Sequence, residues 1–168
     1  MKNTLREKLD ADVATLGTHF LSCDPDIAEI VGDTGLFDYG EFCAEYGVFD
    51  MHALYHMARA GQCANLPLML KPDQANQGFW AQAALGAGFK AVLFTDIRTP
   101  EDVLACHRCI TADMPNIDGH MGVKLRRPAL AGYQPGLYLE DLKSILFTIM
   151  IEKDVVGGAA HLWDCIPS

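Results

Sequence analysis

The chain has 168 residues, 50% of them hydrophobic and 21% charged, and 13 Lys plus Arg against 22 Asp plus Glu give a net charge of −9. That is one domain's length, with enough apolar material for a core. The acidity, without any basic run, argues against gripping nucleic-acid phosphates or an anionic membrane surface. No stretch approaches the roughly 20 apolar residues of a membrane helix, and the opening MKNTLREK lacks the apolar core of a signal peptide. Six scattered cysteines, Cys23, Cys43, Cys63, Cys106, Cys109 and Cys165, then read as free thiols in a cytoplasmic protein.

Short apolar runs alternate with amphipathic segments along the chain. Residues 15–21 (TLGTHFL) predict a strand, and Asp24-Pro25 opens a helix over 26–31. Residues 36–42 (LFDYGEF) predict a second strand, and Asp50 caps a helix through Met51, Leu54, Tyr55, Met57 and Ala58. A strand at 66–71 (LPLMLK), a helix at 78–87 and a continuous apolar strand at 91–95 (AVLFT) follow. Thr99-Pro100-Glu101-Asp102 marks a helix start, with acids facing the positive end of the dipole. Beyond it the pattern predicts a weaker strand at 119–125, a loop at 126–136 and a helix at 138–144. The most apolar strand comes next at 145–151 (ILFTIMI), and a last helix at 155–163. This alternation implies βαβ crossovers and a parallel sheet of about six βα units in a single domain spanning 1–168. At this size the pattern alone favours an open, doubly wound sheet, since a (β/α)8 barrel takes about 250 residues.

In parallel α/β folds the working residues gather at the carboxyl ends of the strands. Those ends carry His19, Glu41 with Glu45, Lys71 with Asp73, Asp96 with Arg98, Arg126 with Arg127, and Glu152 with Lys153. Glu152 closes an apolar run, where a carboxylate needs a cation or a donor to offset lost solvation. A metal meets that need, and so does a salt bridge to Lys153 or Arg126. Lys71 with Asp73 suits an anionic substrate group or a plain surface ion pair. Arg126-Arg127 suits a carboxylate clamp or a solvated loop. Cys106 and Cys109 form a lone CxxC without the second pair a zinc site wants, and their i, i+3 spacing is that of helix core positions. His52 and His56 share one helix face but lack the Glu of HExxH, and the pair reads as structural. No GxGxxG, GxxxxGK[ST] or GxSxG occurs.

The ordered segments TLGTHFLSCDPDIAEIVGDTGLFDYGEFCAEYGVFDMHAL, LMLKPD, GAGFKAVLFTDIRTPEDV, GVKLRR and IMIEK resemble the HpcH/HpaI aldolase and citrate lyase family. The likeness is greatest to members with AEY in place of DGEH, and it runs from about Thr15 to Pro167. The resemblance implies a (β/α)8 TIM-barrel type fold in place of the open sheet, here incomplete, with about six βα units present. It implies a divalent-metal-dependent carbon–carbon lyase, a class II 2-keto acid aldolase, in which Mg²⁺ or Mn²⁺ stabilises an enolate. Glu152 matches the first metal carboxylate, Glu45 the Glu of DGEH, and Lys71 a substrate-facing Arg. Arg126 is the further substrate-binding candidate. Cys43 stands where the family has Asp, Met150 where many members have a polar residue, and Tyr46 where they have an acid–base His. At its unperturbed pKa near 10, a Tyr is a weaker base than His.

Residues 155–167 (VVGGAAHLWDCIP) align with the helix after the family's sixth strand, and the Asp giving the second metal carboxylate comes from its seventh. The resemblance therefore also allows a truncated, non-catalytic remnant that needs a partner chain to complete the barrel. The partners it implies are a small 2-keto acid and a second copy in a homo-oligomer.

Overall fold

The computed structural model describes residues 2–122 and 135–152. The elements run α1 (Thr4–Asp10), β1 (Gly17–Phe20), α2 (Pro25–Asp33), β2 (Tyr39–Cys43), α3 (Met51–Cys63) and β3 (Leu68–Lys71). They continue with α4 (Gln77–Ala87), β4 (Ala91–Phe94), α5 (Pro100–Ile110), α6 (Pro135–Lys143) and β5 (Leu146–Ile149). Local chemistry fixes the helix starts. Asp24 and Asp50 accept backbone N–H bonds as N-caps of α2 and α3, and Thr99 with Asp102 forms a reciprocal capping box on α5. None of these helices is long and apolar enough to cross a membrane.

All pairings are parallel and the strand order is β1-β2-β3-β4-β5. A doubly wound sheet reverses its strand order and is covered by helices on both faces. Here the order never reverses, and successive helices α2 to α5 pack side by side on one face. That is the wall of a barrel, and the five strands are five of the eight in a (β/α)8 closure. The fold is therefore of the incomplete barrel type, and the open sheet that hydropathy alone favours is overturned.

The two faces of the sheet divide the side chains strictly. Phe20, Phe42, Leu68 and Leu70 point outward into a core completed by Ala28, Leu54, Met57, Ala58, Ala83 and Ala87. Val92 and Phe94 do the same against Val103, Cys106, Ile110, Tyr138 and Leu142. An aromatic chain strengthens the first core. Phe42 lies 6.4 Å from Phe20 and 5.4 Å, edge on, from Phe49, which in turn sits 4.6 Å from Trp80.

By the two-residue period of a strand, Gly17, His19, Tyr39, Glu41, Cys43, Met69, Lys71, Ala91, Leu93, Leu146 and Thr148 belong to the other, inner face. Its floor is apolar, with Met69, Ala91 and Leu146 in register and closed from below by Leu5 of α1. Asn3 pins that plug, since its Nδ2 donates to the carbonyls of Lys90 at 2.9 Å and Ser144 at 2.6 Å. A Cβ on Gly17 would fall 2.1 Å from the Tyr39 ring, so only glycine lets that ring lie across β1. Leu5→Ala leaves a cavity under three strands, and we expect a loss of about 2–5 kcal/mol, read from the urea midpoint. An unchanged midpoint would show that α1 does not close the floor.

Three sequence expectations change. Residues 119–125 predict a strand, but the described part holds only an isolated bridge from Met121 to Ala112, and β4 pairs directly with β5. The described residues thus hold five strands rather than about six βα units. The N-terminal helix α1 was not expected, because only Leu5 on it is buried. The helix expected at 138–144 begins at Pro135, inside the expected loop. The helix expected at 155–163 lies outside the described residues.

Candidate functional site

The carboxyl end of the inner face is where charged side chains converge. Parallel pairing sets Cys43 opposite Lys71. Immediately after β2 the chain turns, with the Gly47 N–H donating to Cys43 O at 3.2 Å, and the Glu45 N–H donates to Lys71 O at 3.1 Å. The Lys71 ammonium completes the link with a 2.7 Å ion pair to the Glu45 carboxylate. Glu45 is thus tied to β3 through backbone and side chain together. Tyr46 stands beside the pair, 71% exposed, with its ring centroid 5.3 Å from Lys71 Nζ. Phe49, held between Phe42 and Trp80, anchors the segment that carries Glu45 and Tyr46.

Each group's protonation follows from its neighbours. Burial alone pulls the Lys71 ammonium down. The hydrogen bond to Glu45 and the charges of Cys43, Glu45 and Tyr46 more than offset this, and the net direction is up. Lys71, only 8% exposed, stays cationic. The charge of Glu45, and then its hydrogen bond, raise the Tyr46 phenol above its ordinary value. Desolvation raises the Cys43 thiol, with Glu41 and Glu45 adding to it against the opposing charge of Lys71. At neutral pH the site therefore presents an ammonium, two protonated donors (Tyr46 OH and Cys43 SH) and a carboxylate. Cys43 is no thiolate nucleophile.

The raised Lys71 value gives a pH prediction with a definite sign. The pair's stabilisation is fully present below the unfolded lysine value of 10.5 and is lost as pH climbs through the higher folded value. The stability difference between wild type and Lys71→Met should hold steady from neutral pH to about 10 and shrink above it. Urea midpoints across that range test this, and a difference that persists undiminished well above the lysine range would contradict it.

The remaining candidates separate. Asp73, grouped with Lys71 in the sequence, instead accepts from the backbone N–H and side-chain amide of Asn76, both at 3.0 Å. Asp96 and Arg98 form an ion pair with each other. Thr95 ties the ends of β3 and β4 together, its hydroxyl donating to Pro72 O at 3.2 Å. His19 pairs in register with Glu41, one pleat below the Cys43–Lys71 row. Arg126, Arg127 and Lys153 lie outside the described residues.

Glu152 is exposed three residues past β5. Among the described residues no three His, Cys, Asp or Glu side chains gather as a metal centre requires. The described residues therefore hold no set of three such ligands for a divalent cation. Cys106 and Cys109 are core groups. Burial pushes the Cys106 thiol up to about 12 and also raises that of Cys109.

The fold is shared with solved proteins. A HpcH/HpaI aldolase/citrate lyase family protein from Burkholderia cenocepacia superposes with a TM-score of 0.75 at 24% identity, over 88% of this chain and 59% of its own. The fold is that of the HpcH/HpaI aldolases. The HpcH/HpaI aldolase from Desulfitobacterium hafniense matches at TM-score 0.72 and 21% identity, over 88% of this chain and 56% of that one. The citrate synthase SbnG matches at 0.72 and 16% identity, over 90% and 56%. The chain thus spans a little under three fifths of the length of these HpcH/HpaI-fold proteins. No protein-family model matches it, and neither does any curated protein.

Proposed function

We propose that the Glu45–Lys71 pair is the substrate-anchoring element of a carbon–carbon lyase acting on pyruvate-derived 2-keto acids. The observation that carries this reading is a buried lysine, cationic at neutral pH, at the carboxyl end of a barrel strand, paired at 2.7 Å with a carboxylate from the preceding βα turn. The names of the fold relatives, two aldolases and a citrate synthase, point the same way.

In this reading Lys71 binds a substrate carboxylate or oxo group as a fixed point charge. The buried ammonium acts there before charge develops, which is what preorganised electrostatic stabilisation requires. Glu45 orients the ammonium and a water beside it. Tyr46, kept protonated by Glu45, donates its hydrogen bond to the substrate's keto oxygen, and the water that Glu45 orients takes the C3 proton as the enolate forms. Arg126 is the proposed second contact to the substrate carboxylate.

Charge balance supports a further cation. Among the described residues of the inner face, Glu41 and Glu45 against Lys71 leave one negative charge in excess, unfavourable for an anionic substrate. A divalent ion such as Mg²⁺ or Mn²⁺ entering with the substrate, with Glu152 as one oxygen ligand, would reverse that balance and act as a Lewis acid on the keto oxygen. The described residues do not by themselves complete its coordination.

The test is exchange of the pyruvate C3 protons for deuterium, followed by NMR with millimolar Mg²⁺ or Mn²⁺. Exchange reports enolate formation without requiring the natural aldehyde. Tyr46→Phe should slow it about tenfold to a hundredfold if the phenol donates that hydrogen bond. A Tyr46→Phe rate equal to wild type would remove Tyr46 from the chemistry. A second reading is favoured by the half-exposed inner face. In it the site works only when strands from elsewhere, in the same protein or a partner copy, close the barrel. Exchange that appears only in the oligomeric fraction on size-exclusion chromatography would favour that reading.

A further inference from the structure

We infer that His52 and His56 form a two-histidine chelate for a transition-metal dication, Cu²⁺, Ni²⁺ or Zn²⁺, on the outward side of α3. A structural histidine pair would be packed or hydrogen-bonded. Both rings are exposed, and among the described residues neither makes a hydrogen bond or ion pair. Helix α3 buries Leu54, Met57, Ala58 and Gly61 against the sheet. At 100° per residue the opposite stripe is His52, His56, Arg59 and Cys63, all exposed.

Two observations turn the stripe into a site. His52 and His56 are one turn apart, the spacing that puts side chains on the same helix face within reach of each other. Their rings already lie parallel, with centroids 5.0 Å apart and planes 10° off. Two imidazole nitrogens each about 2.0–2.1 Å from one ion lie about 3 Å apart, a closure that exposed rings can make by small rotations. Imidazole is the donor these three metals share, and their affinities at one site fall from Cu²⁺ to Ni²⁺. Water would fill the remaining positions.

The surroundings set the strength. Arg59, three residues beyond His56, places one positive charge on the same stripe. Asp50 is occupied in capping, accepting from the Ala53 N–H at 2.8 Å. Cys63 lies seven residues beyond His56, two turns away and outside a common chelate ring. The ion therefore has two protein ligands. The site is independent of Glu45, Lys71 and Glu152, so the proposal stands apart from the lyase reading.

Isothermal titration of the purified chain with Cu²⁺, Ni²⁺ and Zn²⁺ at neutral pH tests it, alongside His52→Ala, His56→Ala, the double variant and Cys63→Ser. We expect one equivalent bound by wild type and by Cys63→Ser, with Cu²⁺ tighter than Ni²⁺. Each single histidine variant should be weakened at least about tenfold, because a chelate becomes a single ligand. Acidification, which protonates imidazole, should release the ion. Substoichiometric Ni²⁺ should broaden the His52 and His56 ring resonances before those of other histidines. A double variant that titrates like wild type, or a loss confined to Cys63→Ser, would overturn the proposal. Both histidines are exposed, so the variants keep the core intact, and unchanged thermal melts without metal verify that.

Discussion

Replacing Lys71 with methionine should slow metal-supported exchange of the pyruvate C3 protons by about a hundredfold or more, the cost of removing one preorganised electrostatic contact. Methionine keeps most of the aliphatic stem's volume, so the apolar surroundings survive. What disappears is the ammonium that Glu45 holds at 2.7 Å. Glu45→Gln makes the companion case. It keeps an oxygen for Lys71 but removes the charge that raises the Lys71 and Tyr46 values. Lys71→Met should therefore lose more exchange than Glu45→Gln, and Lys71→Arg should restore part of it. If Lys71→Met exchanged at the wild-type rate, the substrate would not be anchored on β3.

The second large effect concerns stability. Phe42 is fully buried on the outer face of β2 and sits between Phe20 and Phe49. Truncation to alanine removes a whole ring from a close-packed core and should cost about 3–5 kcal/mol. Domains of this kind have about 5–15 kcal/mol in total, so Phe42→Ala should bring the urea midpoint down steeply or abolish cooperative unfolding. The same ring braces Phe49 and hence the turn bearing Glu45 and Tyr46. A partly folded Phe42→Ala protein should lose exchange before it loses helical circular dichroism. A midpoint within experimental error of wild type would mean that the outer-face core is misplaced.

Local signals in the sequence located the starts of α2, α3 and α5, because caps are local chemistry. Asp24-Pro25, Asp50 and Thr99 through Asp102 each start a helix where their side chains meet free N–H groups. Strand edges were less legible. Residues 36–38 look apolar enough to begin β2, yet Leu36 is exposed and the Asp38 carboxylate is taken by Lys8 and the Leu16 N–H. The Lys8 hydrogen bond, and then the Leu16 one, lower the Asp38 value. Those partners are distant in sequence, and hydropathy does not register them.

Strand order is also non-local. Alternation gives parallel strands, but whether the order reverses depends on how crossovers pack, which is why the pattern alone pointed to an open sheet. Resemblance supplied the barrel, and the unbroken order β1 to β5 bears it out.

The candidate site was half legible. Glu45 and Lys71 were picked out from strand ends and Tyr46 through the resemblance, but the pairing of Lys71 was assigned by nearness in sequence to Asp73. In the fold, register with Cys43 brings Glu45 to Lys71 across 26 positions, while Asp73 caps its own turn. Among the described residues no three His, Cys, Asp or Glu side chains gather round Glu152 or elsewhere, since metal sites are assembled from several elements and hydropathy does not show which of them meet.

The most direct measurement is a two-dimensional NMR titration of the protein with pyruvate, with and without Mg²⁺, following Lys71, Glu45 and Tyr46. Saturable shifts at these three residues, strengthened by Mg²⁺ and lost in Lys71→Met, are what the account predicts. Pyruvate and Mg²⁺ leaving all three unmoved, or binding equally well to Lys71→Met, would contradict it.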